Sequence, residues 1–234
     1  MTPVIAKEYY LSEPRQFSLR ERTIDQIPDG HVLVEIKGVT ICGSDMMSWF
    51  GGTHPEGRDA EKTCPCHEAY GEVIGIGEGV TDYRLLDKRP IQLGDRVALD
   101  PMNNCETRFP HQKDKWCYIC SDPYDHNWCC TQQLFASTPP ADGFTRTHTT
   151  YLSDILIPLP DAIPHEMGTF GEVLGIGVRA LNNVHEYSRG PVQETQYGVI
   201  GDGSIGLLIA HALNYLANVP KENIHLYGVN ASKL

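Results

Sequence analysis

The chain has 234 residues, 41% hydrophobic and 21% charged, and its 19 Lys and Arg against 30 Asp and Glu give a net charge of −11. That is room for two modest domains of a globular protein, and the acidic balance argues against nucleic acid or an anionic membrane as a general partner. The N-terminal stretch "MTPVIAKEYYLSEPRQF" lacks the apolar core of a signal peptide and no run is long enough to span a bilayer. A cytoplasmic location is therefore expected.

In that compartment the eight cysteines are expected as metal ligands, thiolates or buried thiols rather than disulfides. Residues 1–160 read as β-rich: "HVLVEIKGVTI", "GEVIGIGEGV" and "GDRVAL" are short strands joined by turn-rich segments. "VTICGSDMMSWFGG" sets Cys42 at a strand end, with Ser44 and Asp45 just beyond. Further on, "KTCPCHEAYGEVIGIGEGV" places His67 and Glu68 directly before a strand punctuated by Gly71, Gly75, Gly77 and Gly79. Thiolate and imidazole are preferred zinc ligands, and a catalytic zinc takes three protein ligands and keeps one position open. Cys42 and His67 supply two, with a carboxylate as the third; alone, each also reads as an ordinary strand-end thiol or hydrogen-bonded histidine. Cys64 and Cys66 read equally well as buried thiols.

Between about 101 and 142 the chain turns polar, irregular and rich in Cys, Pro and Asp. A segment of this kind needs a clamp, a function or disorder. Beyond it, residues 161–234 carry helical spacing of apolar residues at Phe170, Leu174, Val178 and Leu181, and then a strand, a tight turn, a helix and a second strand. The turn "VIGDGSIG" holds Gly201, Gly203 and Gly206 in G-x-G-x-x-G spacing, with Ser204 and Ile205 opening the helix. That is the context in which backbone N–H groups cradle a dinucleotide pyrophosphate. The second strand, in "NIHLYGVNASKL", ends at Gly228 without the acid that binds the ribose of NAD. Asn230, Ser232 and Lys233 follow it, so the loop leans towards NADP over NAD. Only the first β-α-β of the roughly 30-residue units of a doubly wound domain is present, which is expected for a nucleotide domain truncated after that unit.

The segments "ICGSD", "CHEAYGEVIGIGEGV", "LGDRVALDP", "DGFTRTHTTYLSDILIPLPD", "GEVLGIGVRAL" and "VIGDGSIGLL", in this order, resemble the zinc-dependent medium-chain alcohol and polyol dehydrogenases. The resemblance implies a GroES-like β-rich catalytic domain over 1–160 followed by a Rossmann-type domain over 161–234. It implies Cys42 and His67 as ligands of catalytic Zn2+. It gives Glu68 a place at the metal, able to ligate it, and Glu172 a place facing the metal or its water. Ser44 would pass the substrate proton outward, and Asp45 would orient the histidine ligand. Cys105, Cys117, Cys120 and Cys129 would hold a second, structural zinc, with Cys130 able to replace Cys129 and free thiols as the alternative; His111 and His126 read as solvated.

Two departures stand out. The usual G-H-E reads C-H-E at Cys66, and valine follows Glu172 where proline is usual. Within the family, "GDGSIGLL", "HLYGVNASKL" and "EPRQFSL" resemble the NADP-using sugar branch of glucose dehydrogenase and ribulose-5-phosphate reductase. The expected function is hydride transfer between NADP(H) and a sugar, polyol or related small molecule, in a homo-oligomer when full length. The alternatives are a dehydrogenase of simple alcohols and an inactive metal- or dinucleotide-binding fragment.

Overall fold

The computed structural model describes residues 1–50, 64–83, 89–103, 105, 112–121, 134–135, 142–187, 190–230 and 232. Strands β1 (Val4–Glu13) and β2 (Gln16–Ile24) form an antiparallel hairpin, and β3 (His31–Thr40) leads into helix α1 (Gly43–Trp49). β4 (Glu68–Ile76), β5 (Arg96–Leu99), β6 (Met102–Asn103), the short α2 (Tyr118–Ser121), β7 (Leu134–Phe135), β8 (His148–Leu152) and β9 (Leu156–Pro158) follow. Helix α3 (Phe170–Tyr187), β10 (Tyr197–Ile200), α4 (Ser204–Tyr215) and β11 (Ile224–Tyr227) complete the order. The chain divides into two compact units, Met1–Glu172 and Val173–Leu234.

The first unit is built on a five-stranded sheet of order β8-β3-β4-β5-β9, antiparallel at every pairing. β3 explains its own uninterrupted apolar run. Val32 and Val34 enter the main core with Val73, Val97, Leu99, Phe144 and Leu156, while Leu33 points the other way onto Ala6 and Ile24 of the hairpin. A strand covered on both faces has no use for polar alternation. The glycines of β4 have a steric reason too. A Cβ on Gly71 would strike the Glu35 carbonyl oxygen and approach Val34 Cγ1 to 2.5 Å, so only glycine lets β4 lie this close to β3.

A strap at 142–147 joins three parts of this unit. Gly143 N–H donates to the Cys64 carbonyl at 2.7 Å and Phe144 N–H to that of Cys66 at 2.8 Å, while Thr147 N–H donates to Lys7 of β1 at 2.9 Å. Beside the strap, Glu8 is 1% exposed and faces three arginines: Arg20 Nε at 2.6 Å, Arg22 Nη2 at 3.0 Å and Arg146 Nη1 at 3.3 Å.

In the second unit β10 and β11 pair in parallel with α4 between them in sequence, a β-α-β crossover. Leu181, Val192, Val199, Leu213 and Val219 form its core. The apolar stripe of α3 differs from the expected one. Leu174 and Val178 are exposed, whereas Val173, Gly177 and Leu181 are buried at i, i+4 and i+8. Gly177 faces Ala212 and Leu208 of α4, at ordinary contact distance for a Cβ, so the face through Val173, Gly177 and Leu181 is the packed one. Among the described residues, no helix is long and apolar enough to cross a membrane.

Candidate functional site

Cys42 follows β3 and precedes α1, while His67 and Glu68 stand where β4 begins. Pairing of β3 with β4 therefore brings two segments 25 residues apart in sequence to one place. A ligand atom from each of Cys42, His67 and Glu68 lies within 4.8 Å of the other two, with His67 and Glu68 buried. Around a tetrahedral zinc with bonds of about 2.0–2.3 Å, ligand atoms sit roughly 3.3–3.8 Å apart. The cluster is close to that size, and its sulfur, nitrogen and oxygen donors are those zinc prefers, so the residues fit the metal.

Asp45 organises this cluster chiefly through backbone. Its Oδ2 accepts from Cys42 N–H at 2.8 Å and its Oδ1 from Cys66 N–H at 2.9 Å, fixing both ligand-bearing segments. His67 Nδ1 lies 4.0 Å from Asp45 Oδ1, an ion-pair separation rather than a hydrogen bond. Ser44 is exposed in the first turn of α1. Cys66, the departure from G-H-E, has φ +67°, the left-handed region where glycine is at ease. Burial pushes its thiol up, the nearby Asp45 carboxylate adding to the effect; burial likewise pushes Cys64 up to about 11.

Glu172 lies outside the three-residue cluster but near it. Gly171 leaves room beside Ala98 of β5, and register pairs Ala69 with Leu99, which sets Glu68 and Asp100 at the same end of the sheet. Burial raises the Glu172 carboxyl to about 7, and the carboxylates of Glu68 and Asp100 push the same way.

A second sulfur cluster sits in the Cys-rich lobe. The ligand atoms of Cys105, Cys117 and Cys120 lie within 4.8 Å of one another and all three residues are buried. Cys117 N–H points at Cys105 Sγ (3.4 Å) and Cys120 N–H at Cys117 Sγ (3.5 Å), contacts that favour thiolates. Cys129 and Cys130, His111 and His126 lie outside the described residues. A third group, Glu8, Cys64 and Asp142, has similar spacing. Arg20 and Arg146 already answer both of its carboxylates, so a cation has no charge to neutralise there.

In the second unit the glycine loop is open at one glycine and closely packed at another. Gly201 turns at φ +125°, Gly203 caps α4 with nothing within 4 Å of where a Cβ would stand, and a Cβ on Gly206 would strike the Gly201 carbonyl. Ser204 and Ile205 are exposed at the first turn of α4. At the end of β11 the structure shows what sequence reasoning missed. Asp202, from within the loop, lies against Gly228, and its Oδ2 accepts from the N–H groups of Val229 (3.1 Å) and Asn230 (2.6 Å). The signal was available: in a β-α-β unit the loop after the first strand stands beside the end of the second, so an acid there can substitute in space for one at 228. Ser232 bonds to Asn230 Oδ1 through both N–H and hydroxyl (3.2 and 2.8 Å); Lys233 lies outside the described residues.

Comparison with known proteins agrees with this geometry. Residues 28–161, more than half the chain, match the model of the alcohol dehydrogenase GroES-like domain, and the chain belongs to that family. It is 30% identical over 201 residues to "Probable D-xylulose reductase A" of Neosartorya fischeri, covering 86% of this chain and 49% of that protein. It is 29% identical over 199 residues to sorbitol dehydrogenase 2 of Saccharomyces cerevisiae, covering 85% and 49%. In fold it is similar to a Sinorhizobium meliloti 1021 protein described as a zinc-binding dehydrogenase and solved bound to NADP, with TM-score 0.75, 21% identity and coverage of 98% and 58%. The chain spans about half the length of the curated relatives it matches.

Proposed function

We propose that this chain carries the catalytic part of a zinc-dependent oxidoreductase that moves hydride between NADP(H) and a sugar, polyol or related alcohol or carbonyl. The observation that carries the reading is the convergence of Cys42, His67 and Glu68 in one buried cluster, in a chain that also has an open glycine loop at the start of a helix. Cys42, His67 and Glu68 would hold zinc, which when bound supplies Lewis-acid polarisation of the substrate oxygen. Asp45 fixes the Cys42 and Cys66 backbone so that the ligands stay convergent. Ser44, exposed two residues from Cys42, is placed to hand the substrate proton to water. Glu172, close to neutral pH in its titration, supplies a carboxyl that can hold a proton beside the cluster. The names of the xylulose reductase and sorbitol dehydrogenase relatives support a polyol class of substrate.

Metal analysis tests the centre. Cys42→Ala should lose one zinc per chain relative to wild type, and a Cys105→Ala/Cys117→Ala variant should lose a different one. Unchanged zinc in Cys42→Ala overturns the assignment. Wild type with a single zinc and freely alkylated Cys105, Cys117, Cys120 and Cys129 would show that the lobe binds none.

For the cofactor, the missing acid at Gly228 and the donors at Asn230, Ser232 and Lys233 support NADP. One observation favours NAD instead: Asp202 brings a carboxylate to the end of β11. Binding of both dinucleotides to wild type and Asp202→Asn separates the two. Tighter NADP in wild type supports the first reading. Tighter NAD, reversed by Asp202→Asn, assigns the ribose to Asp202.

A further inference from the structure

β3 and β4 reach the metal-ligand cluster only after two bulges that cancel. Val32 pairs with Ile76 and Leu33 with Gly75, but Val34 pairs with Val73, so Ile74 is the extra residue on β4. Ile36 then pairs with Gly71 and Gly38 with Tyr70, so Lys37 is the extra residue on β3. After this second bulge Val39 stands opposite Ala69 and Thr40 opposite Glu68. Without the extra Lys37, Val39 would oppose Glu68 and an aliphatic side chain would meet the carboxylate. Bulges re-aim side chains in this way, and here the one that is re-aimed carries a hydroxyl.

That hydroxyl donates to Glu68: Thr40 Oγ1 bonds to Oε2. Glu68 is buried, and its carboxylate belongs to the same cluster as Cys42 and His67. A buried carboxylate needs its lone pairs answered. With Oε2 held from β3, the carboxylate can no longer swing about its last bond, and its approach to Cys42 and His67 is fixed. Glu172, the other carboxyl near the site, is not in the three-residue cluster.

We propose that Thr40 is a positioning residue that selects Glu68, rather than Glu172, as the carboxylate ligand of the metal held by Cys42 and His67. The proposal rests on the metal reading above. Ligand-orienting hydrogen bonds of this kind change metal affinity about 10–100-fold when lost.

The test uses the full chain with zinc and with cobalt(II) in its place. Zinc affinity is measured by chelator competition, and the visible bands of the cobalt site are isolated by subtracting the Cys42→Ala spectrum. Thr40→Val keeps the shape and removes the donor; it should weaken zinc by about 10–100-fold and alter the cobalt bands, while Thr40→Ser should stay within about threefold of wild type. In a Glu68→Gln background Thr40→Val should add nothing, because its effect runs through that carboxylate. Three results overturn the proposal: unchanged affinity and bands in Thr40→Val, equal losses in the valine and serine variants, or a loss that persists undiminished beside Glu68→Gln. Failure of the metal reading has its own signature, unchanged zinc in Cys42→Ala, and the role of Thr40 falls with it.

Discussion

At the scale of single residues, the site is held by side chains that work on backbone. Asp45 receives N–H groups from both ligand segments, and Cys66 adopts φ +67° so that its own N–H can reach that carboxylate. The left-handed region costs a residue with a Cβ roughly 1–2 kcal/mol. Alanine keeps that strain and glycine removes it. Cys66→Gly should therefore be the more stable of the two variants, by about 1 kcal/mol, although it buries less surface. Urea denaturation of both decides it, and an alanine variant as stable as the glycine one would show that the turn is unstrained.

At the scale of elements, the described ends of the β4–β5 connection are fixed by contacts the strands themselves do not make. Tyr83 is fully buried; its hydroxyl donates to Asp95 Oδ2 at 2.8 Å, and Arg89 Nη1 donates to both oxygens of the same carboxylate. Burial alone would raise Asp95, but the bonds from Arg89, the Gln92 N–H and Tyr83 outweigh it and hold the carboxyl low. A carboxyl held low when folded adds stability above the unfolded value of about 3.9, and loses it as pH falls through the folded one. Asp95→Asn should therefore be less stable than wild type at pH 7, with the gap closing below about pH 4. Denaturation midpoints across pH 2–7 check this, and a gap that does not narrow in acid would contradict it.

The glycine loop gives a second contrast at this scale. Gly206→Ala drives a Cβ into the Gly201 carbonyl and should destabilise the second unit by about 1–3 kcal/mol as well as abolish dinucleotide binding. Gly203 has open space at the same atom and an extended backbone, φ −83° and ψ −177°, that alanine accepts. Gly203→Ala should therefore fold nearly as well as wild type and, if the proposed function holds, still weaken dinucleotide binding, because its methyl would stand in the way of a pyrophosphate. Thermal melting beside dinucleotide titration separates the two; loss of folding in Gly203→Ala would refute the distinction.

At the scale of the whole molecule, the β1–β2 hairpin, the strap at 142–147 and the segment before His67 are tied by one charge network. Glu8 is shared by Arg20, Arg22 and Arg146, and Asp142 by Arg20 and Arg146, while Asp142 Oδ1 also accepts from Cys64 N–H at 3.1 Å. Arg146 Nη2 is 3.3 Å from Asp142 Oδ2 without hydrogen-bond geometry, so Glu8 is its main partner. Removing Glu8 takes the best-placed counter-charge from the buried Arg146 guanidinium and leaves it only the partly exposed Asp142 carboxylate. Glu8→Ala should cost about 3–5 kcal/mol, and Glu8→Leu combined with Arg146→Met should cost much less than the two single changes together. Denaturant unfolding of Glu8→Ala, Glu8→Leu, Arg146→Met and the double variant tests this, and additive losses in the last three would exclude the coupling.

The amino-acid sequence by itself determined what depends on neighbours in the chain. The β-branched run of β3, the turn, helix and strand around Gly201, Gly203 and Gly206, and the residue types able to ligate a metal at Cys42, His67 and Glu68 all follow from local spacing and chemistry. In the helical stripe of α3, Leu181 is buried as expected but Leu174 and Val178 are exposed, because the face through Val173 and Gly177 packs instead, a contact with α4 that periodicity does not contain. Asp202 at the end of β11 could be inferred only from the β-α-β topology, while Thr40 against Glu68 and Glu8 against Arg146 were not legible at all. Each is a pairing across 26, 28 or 138 positions of sequence. Such partners are chosen by strand register, bulges and the packing of buried charge, and these exist only once the chain has closed on itself.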